Sequence, residues 1–194
     1  MTGLASGLIR ILILGLCLCL GVSNSASGGE TLWREDAQRF RVGLKLFPAC
    51  LGALESLAEY STPDGRLLIL VVYEGSDSAA RQAASNLDAI GEIRGIPLDV
   101  RLQSAMTLDD YRGDAPGGIF VASVGIPPAR LKGWSVRHRA LVFSPFSGAV
   151  EDGAVAGLYV ADRILPYVNR AQARRAKVRF RSFFLEVARS YEDE

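Results

Sequence analysis

Leu67-Leu68-Ile69-Leu70-Val71-Val72-Tyr73 is an unbroken apolar run of strand length, and it decides the fold class. A strand with one wet face alternates apolar and polar residues. A run without a polar break suits a central strand covered on both faces, as parallel sheets require. Thr62-Pro63-Asp64-Gly65 turns the chain into it. Glu74-Gly75-Ser76-Asp77 then turns the chain into a helix, with Ser76 or Asp77 as N-cap, running to about Ile90.

Downstream, residues 96–102 (IPLDVRL) alternate and read as a strand nearer an edge. A helical turn around residues 108–111 and a loop over 113–117 lead to residues 118–124 (GIFVASV), a second buried strand. A helix over 128–134 and a third buried strand over 140–143 follow. Strand and helix alternating at this spacing predict an α/β sandwich of one domain, its mainly parallel central sheet flanked by helices. The tail changes character. Short strands are expected at 158–160 and 164–168, and Asn169 caps a helical turn over 170–175. Residues 178–180 are a brief extended piece, and 182–191 a closing amphipathic helix. Upstream, Trp33, Ala37, Phe40, Leu44, Phe47, Leu51, Leu54 and Ala58 form a helical stripe. Pro48 interrupts it, either kinking one helix or opening a second that runs to Tyr60.

Residues 1–27 read as a secretory signal. Arg10 closes a short leading region, residues 11–22 (ILILGLCLCLGV) are apolar, and residues 23–27 supply the small side chains a signal peptidase accepts. The apolar core is a dozen residues, short of the ~20 needed to span a bilayer. Cys17 and Cys19 each follow a leucine, which is wrong for lipidation. Cleavage after Ser25 or Ser27 leaves residues 28–194 as one domain, with a flexible Ser27-Gly28-Gly29 lead. That domain is expected in the periplasm, with no stable membrane insertion. Two of the three cysteines lie in the signal, so Cys50 alone cannot form an internal disulfide; its apolar surroundings read as core. With 22 basic and 21 acidic residues, the charge balance points to no nucleic-acid partner.

Ligands of open α/β sheets bind outside the carboxyl ends of the strands. By that rule Glu74, Asp77, Ser123 and Ser144 are the candidate ligand-binding residues. His138, the only histidine, lies between Arg137 and Arg139 and reads as a solvated surface residue. No catalytic residue, metal site or cofactor is expected: there is no Gly-x-Ser-x-Gly elbow, no Cys–His pair and no metal-binding helix. The glycines of residues 113–118 precede a strand, the wrong order for a phosphate-binding loop. The end of the chain is basic, and Arg170, Arg174, Arg175 and Arg179 are the candidate contacts to an acidic partner domain.

Leu141-Val142-Phe143-Ser144, Glu151-Asp152-Gly153-Ala154-Val155, Ile164-Leu165-Pro166-Tyr167-Val168-Asn169 and the closing FRSFFLEVA of residues 180–188 together resemble the C-terminal half of YfiR-like periplasmic proteins. Ile93-Arg94-Gly95-Ile96-Pro97-Leu98 is similar to a segment of their first half. The resemblance implies a non-enzymatic periplasmic regulator. Such a protein contacts the periplasmic domain of an inner-membrane protein, such as a diguanylate cyclase, and often acts as a homodimer. Cyclic di-GMP signalling through protein–protein interaction follows from it. This chain departs from the family in its unpaired Cys50 and in Phe47-Pro48 where Trp-Pro is usual. The alternative expectation is a small-solute-binding component serving an envelope transporter, with its pocket near Glu74, Ser123 and Ser144.

Overall fold

The run at Leu67–Tyr73 forms strand β1, buried along its length except at Tyr73. The computed structural model describes residues 27–192, with side chains from Arg34 onward; the signal segment lies outside the described residues apart from Ser27. Helix α1 spans Ser27–Gly52 and takes in the Ser27-Gly28-Gly29 lead expected to be flexible. The packing described below concerns Asp36 onward. β1 is followed by α2 (Ser78–Asp88), the short β2 (Glu92–Ile93), β3 (Ile96–Ser104) and α3 (Ala105–Leu108). Next come β4 (Gly118–Val121), α4 (Pro128–His138), β5 (Leu141–Ser144) and β6 (Ala156–Val160). The chain closes with β7 (Ile164–Asn169), α5 (Arg170–Ala176), α6 (Ser182–Val187) and β8 (Arg189–Tyr191).

The strands form one eight-stranded sheet in the order β2-β3-β1-β4-β5-β6-β7-β8. β3, β1, β4, β5 and β6 run parallel, β7 is antiparallel to β6, and β8 is parallel to β7. The expected α/β fold with a mainly parallel sheet is what forms. The chain leaves β1 for β3 on one side and then continues through β4 and β5 on the other. Right-handed crossovers therefore place α2 and α4 on opposite faces. That doubly wound arrangement is why β1, β4 and β5 carry no polar side chain before Ser144.

The apolar stripe of α1 seats on β4 and β5. Phe40 and Phe47 lie 5.7 and 5.5 Å from the Phe120 ring, and Phe47 lies 5.5 Å from Phe143. Close approach here needs Gly118: a Cβ at that position would come within 2.8 Å of Phe47. Cys50 is fully buried in the same layer, as expected. Pro48 stays inside α1, which ends one turn later at Gly52, so it does not open a second helix; a separate 3-10 turn covers Leu57–Tyr60.

Three further elements differ from expectation. β2 was not foreseen, because two residues carry no period. The closing helix stops at Val187, and Arg189–Tyr191 instead pairs with Tyr167–Asn169 as β8. His138 is half-buried rather than solvated. Its Nε2 is buried without a partner, and its ring meets the Tyr111 ring edge-on at 5.9 Å.

Candidate functional site

The carboxyl edge of the sheet, where β1 and β4 diverge, is occupied by the protein's own polar side chains. Glu74 follows β1, Ser123 follows β4, and the Ser123 hydroxyl accepts the Glu74 backbone N–H at 3.0 Å. Arg130 of α4 bridges Glu74 (2.9 Å) and Asp109 (3.1 Å). Trp134 Nε1 donates to the other Asp109 carboxylate oxygen at 2.8 Å, and Arg137 donates to the Asp109 carbonyl. Asp77 sits at the N-cap of α2 without bonding a helix N–H, and holds Arg81 at 2.6 Å instead. The Arg81 guanidinium, through its hydrogen bond, keeps the Asp77 carboxyl below its ordinary range. Ser144 is buried, and its Oγ accepts from Phe146 N at 3.5 Å. The four residues named from sequence thus lie at the strand ends, but the edge they share is bridged by ion pairs.

The open space is at the opposite edge. The segments entering β1, β4 and β5 line a cleft of about 760 Å³ through Thr62 and Pro63, Ala115 and Pro116, and His138 and Arg139. The topology supplies the far wall. Because β7 is antiparallel to β6, it delivers the chain back to the amino edge of the parallel strands, where α5 begins. Asn169 Oδ1 accepts the Gln172 N–H at 2.8 Å, so the expected cap is present, and Asn169 Nδ2 donates to the Val150 carbonyl at 2.9 Å. Gln172, buried, then pins α5 onto α4 by donating to Ser135 Oγ at 2.7 Å and to the Lys132 carbonyl at 3.2 Å. The last turn of α5 and the residues after it, Arg174, Lys177, Val178 and Arg179, close the cleft against Glu59 and Tyr60.

The cleft is cationic. His138, Arg139, Arg174, Lys177 and Arg179 line it against one carboxylate, Glu59. Arg179 pairs with Glu55 at 3.2 Å. Arg139, Arg174 and Lys177 pair with no carboxylate among the described residues. Burial, then the charges of Arg137 and Arg112, hold His138 below the ordinary histidine range, against a hydrogen bond to the Leu108 backbone that raises it. Burial raises the Tyr60 phenol, so its hydroxyl stays a neutral donor at the cleft wall. Of the basic residues named from sequence, Arg174 and Arg179 come together here. Arg170 lies at the start of α5, 3.9 Å from Glu192, and Arg175 donates to Gln172 Oε1 at 3.4 Å. Sequence reasoning missed Arg139 and Lys177, whose cue was a basic residue at the exit of a helix. A shallower groove between α1 and α2, lined by Phe40, Lys45 and Ile90 among others, has a volume of about 940 Å³.

No group of His, Cys, Asp and Glu among the described residues is placed to hold a metal ion. No helix of the described residues is long and apolar enough to cross a membrane. No protein-family model matches the chain, and no curated protein does. Among solved structures, the chain is similar in fold to the ABC domain in complex with L-Trp from Streptococcus pneumoniae, with a TM-score of 0.50 and 11% identity. The match covers 78% of this chain and 60% of that one. A conserved domain protein from Vibrio cholerae matches with a TM-score of 0.44 and 15% identity, over 70% of this chain and 57% of that one. The chain thus spans about 60% of the length of these solved proteins. The first likeness establishes an α/β fold built on a mainly parallel sheet.

Proposed function

We propose that this chain is a non-catalytic small-solute-binding protein working outside the cytosol, with its site in the amino-edge cleft. The observation that carries the reading is the cleft itself. Its volume of about 760 Å³ falls within the range of small-molecule sites, and apolar walls from Pro63, Pro116 and Val178 combine with a few convergent polar groups. The fold neighbour in complex with L-Trp is consistent with solute binding and puts amino acids in the first ligand panel. Residues 1–27 supply the export reading. The test is a thermal-shift panel of amino acids, sugars and organic acids. It is run on the native protein and on Ala115→Trp, which fills the mouth of the cleft from an exposed position. A ligand at 100 times its Kd stabilises the folded state by about 2.7 kcal/mol. For a domain of this size that is a rise of roughly 5–10 °C in Tm. Shifts that survive Ala115→Trp, or no shift with any class, would refute the reading.

A second reading keeps the regulator implied by the YfiR-like resemblance, with this chain docked on a membrane protein such as a diguanylate cyclase. It is supported by exposed Phe183 and Val187, one turn apart on α6 beside the basic tail. The described part of α1, by contrast, exposes no large apolar side chain. Unchanged intracellular cyclic di-GMP on deletion of the gene would remove this second reading.

A further inference from the structure

Arg139 and Lys177 occupy the same unusual position at the ends of two helices. Arg139 follows α4 with φ 51° and Lys177 follows α5 with φ 58°, both left-handed. Glycine is the ordinary residue there, because a Cβ strains that conformation. The other non-glycine residue with positive φ among the described residues is Arg94 (φ 53°), which donates its guanidinium to the Leu54 carbonyl at 3.0 Å. No such bond within the described chain engages the side chains of Arg139 and Lys177. Both line the cleft, and Arg174 in the last turn of α5 joins them.

Dipole compensation does not account for the cluster. Each helix carboxyl end carries about half a negative charge. The ends of α4 and α5 together thus offset about one of the three cations. Glu59 offsets about one more, and Arg179 is already matched by Glu55. An excess of positive charge remains on a wall that also carries apolar Pro116 and Val178. Strained residues that persist without an internal role point to a functional one.

We infer that the amino-edge cleft binds a small organic dianion, a dicarboxylate or a phosphate monoester, with Arg139, Arg174 and Lys177 as its anion-binding residues. This rests on the solute-binding reading and names its ligand class. The two charged oxygens of each acidic group accept from Arg139 and Arg174 in the paired geometry guanidinium favours, and Lys177 contributes a point charge. The organic body lies along Pro63, Pro116 and Val178.

The test uses the full mature chain with glutarate and phenyl phosphate as dianion probes and glutaramide as the uncharged isostere, measured by titration calorimetry. Two double variants, Arg139→Gly/Lys177→Gly and Arg174→Gln/Lys177→Gln, are compared with Arg170→Gln outside the cleft. The glycine variant relieves the left-handed strain, so it is expected to melt at or above the native temperature. Dianion affinity is expected to fall at least 30-fold in both double variants and to stay within 2-fold in Arg170→Gln. Binding of glutarate or phenyl phosphate that survives both double variants overturns the inference. Binding of glutaramide, lost in Ala115→Trp but untouched by the charge variants, overturns the inference and leaves the solute-binding reading standing. Absence of binding by any probe, with none in the wider panel, removes both. Co-sedimentation with phosphatidylglycerol vesicles in place of binding to the free probes overturns the inference in favour of a lipid headgroup.

Discussion

Asn169→Ala tests how the cleft wall is held. The side chain makes two buried hydrogen bonds: it accepts the Gln172 N–H and donates to the Val150 carbonyl, which it shares with the Gly153 N–H. Asn169 is only 3% exposed, so water does not take over either bond. Losing the cap costs about 1 kcal/mol. The Val150 carbonyl keeps the Gly153 N–H at 3.2 Å, so losing its second donor adds about 0.5–1.5 kcal/mol. The sum is about 1.5–2.5 kcal/mol, or a fall in Tm of roughly 3–10 °C for a domain of this size. Urea unfolding followed by far-UV circular dichroism gives the free energy, and an unchanged m-value shows that the folded state remains compact. Asn169→Asp separates the two bonds. It keeps the cap and loses the donor, so it too destabilises, while its carboxylate now faces the Val150 carbonyl. An Asn169→Ala cost under about 0.5 kcal/mol, the range of an ordinary surface change, would mean that α5 is held by Gln172 alone.

Two other outcomes follow from the same structure. Burial pushes the Cys50 thiol far above its ordinary range, so the folded chain keeps it protonated where the unfolded chain, at about 8.5, ionises. Its stabilising contribution is therefore full below about pH 8.5 and is lost as pH rises beyond it, at about 1.4 kcal/mol per pH unit. Stability measured at pH 7.5 and 9.5 should diverge in the native chain and converge in Cys50→Ala. A thiol reagent that labels Cys50 without unfolding would contradict this burial. At the other edge, Arg130→Met leaves Glu74 and Asp109 without their shared cation. The loss is about 1 kcal/mol, because these groups are partly exposed. Ligand binding at the amino edge should be unchanged, and a binding defect in this variant would place the site at the carboxyl edge.

Local sequence determined much of the frame. Residues 67–73 could hardly be anything but a doubly covered strand, and Asn169 announced a helix start that formed. Short pieces escaped, because β2 and β8 have two and three residues and exist only through their partners. The site was less legible still. Arg174 and Arg179 stood out as charges, but nothing local said that they would meet Pro63, Pro116 and Arg139.

The sequence by itself determined the buried strands, the helix that covers them and the α/β class, because these depend on hydrophobic pattern within a few residues. The tertiary structure alone decided which edge of the sheet is open. Arg130 closes the carboxyl edge by joining residues 21 and 56 positions away in the chain. The reversal of β7 carries α5 to the amino edge. Strand direction and ion-pair closure are set by contacts between distant segments, and no local pattern encodes them.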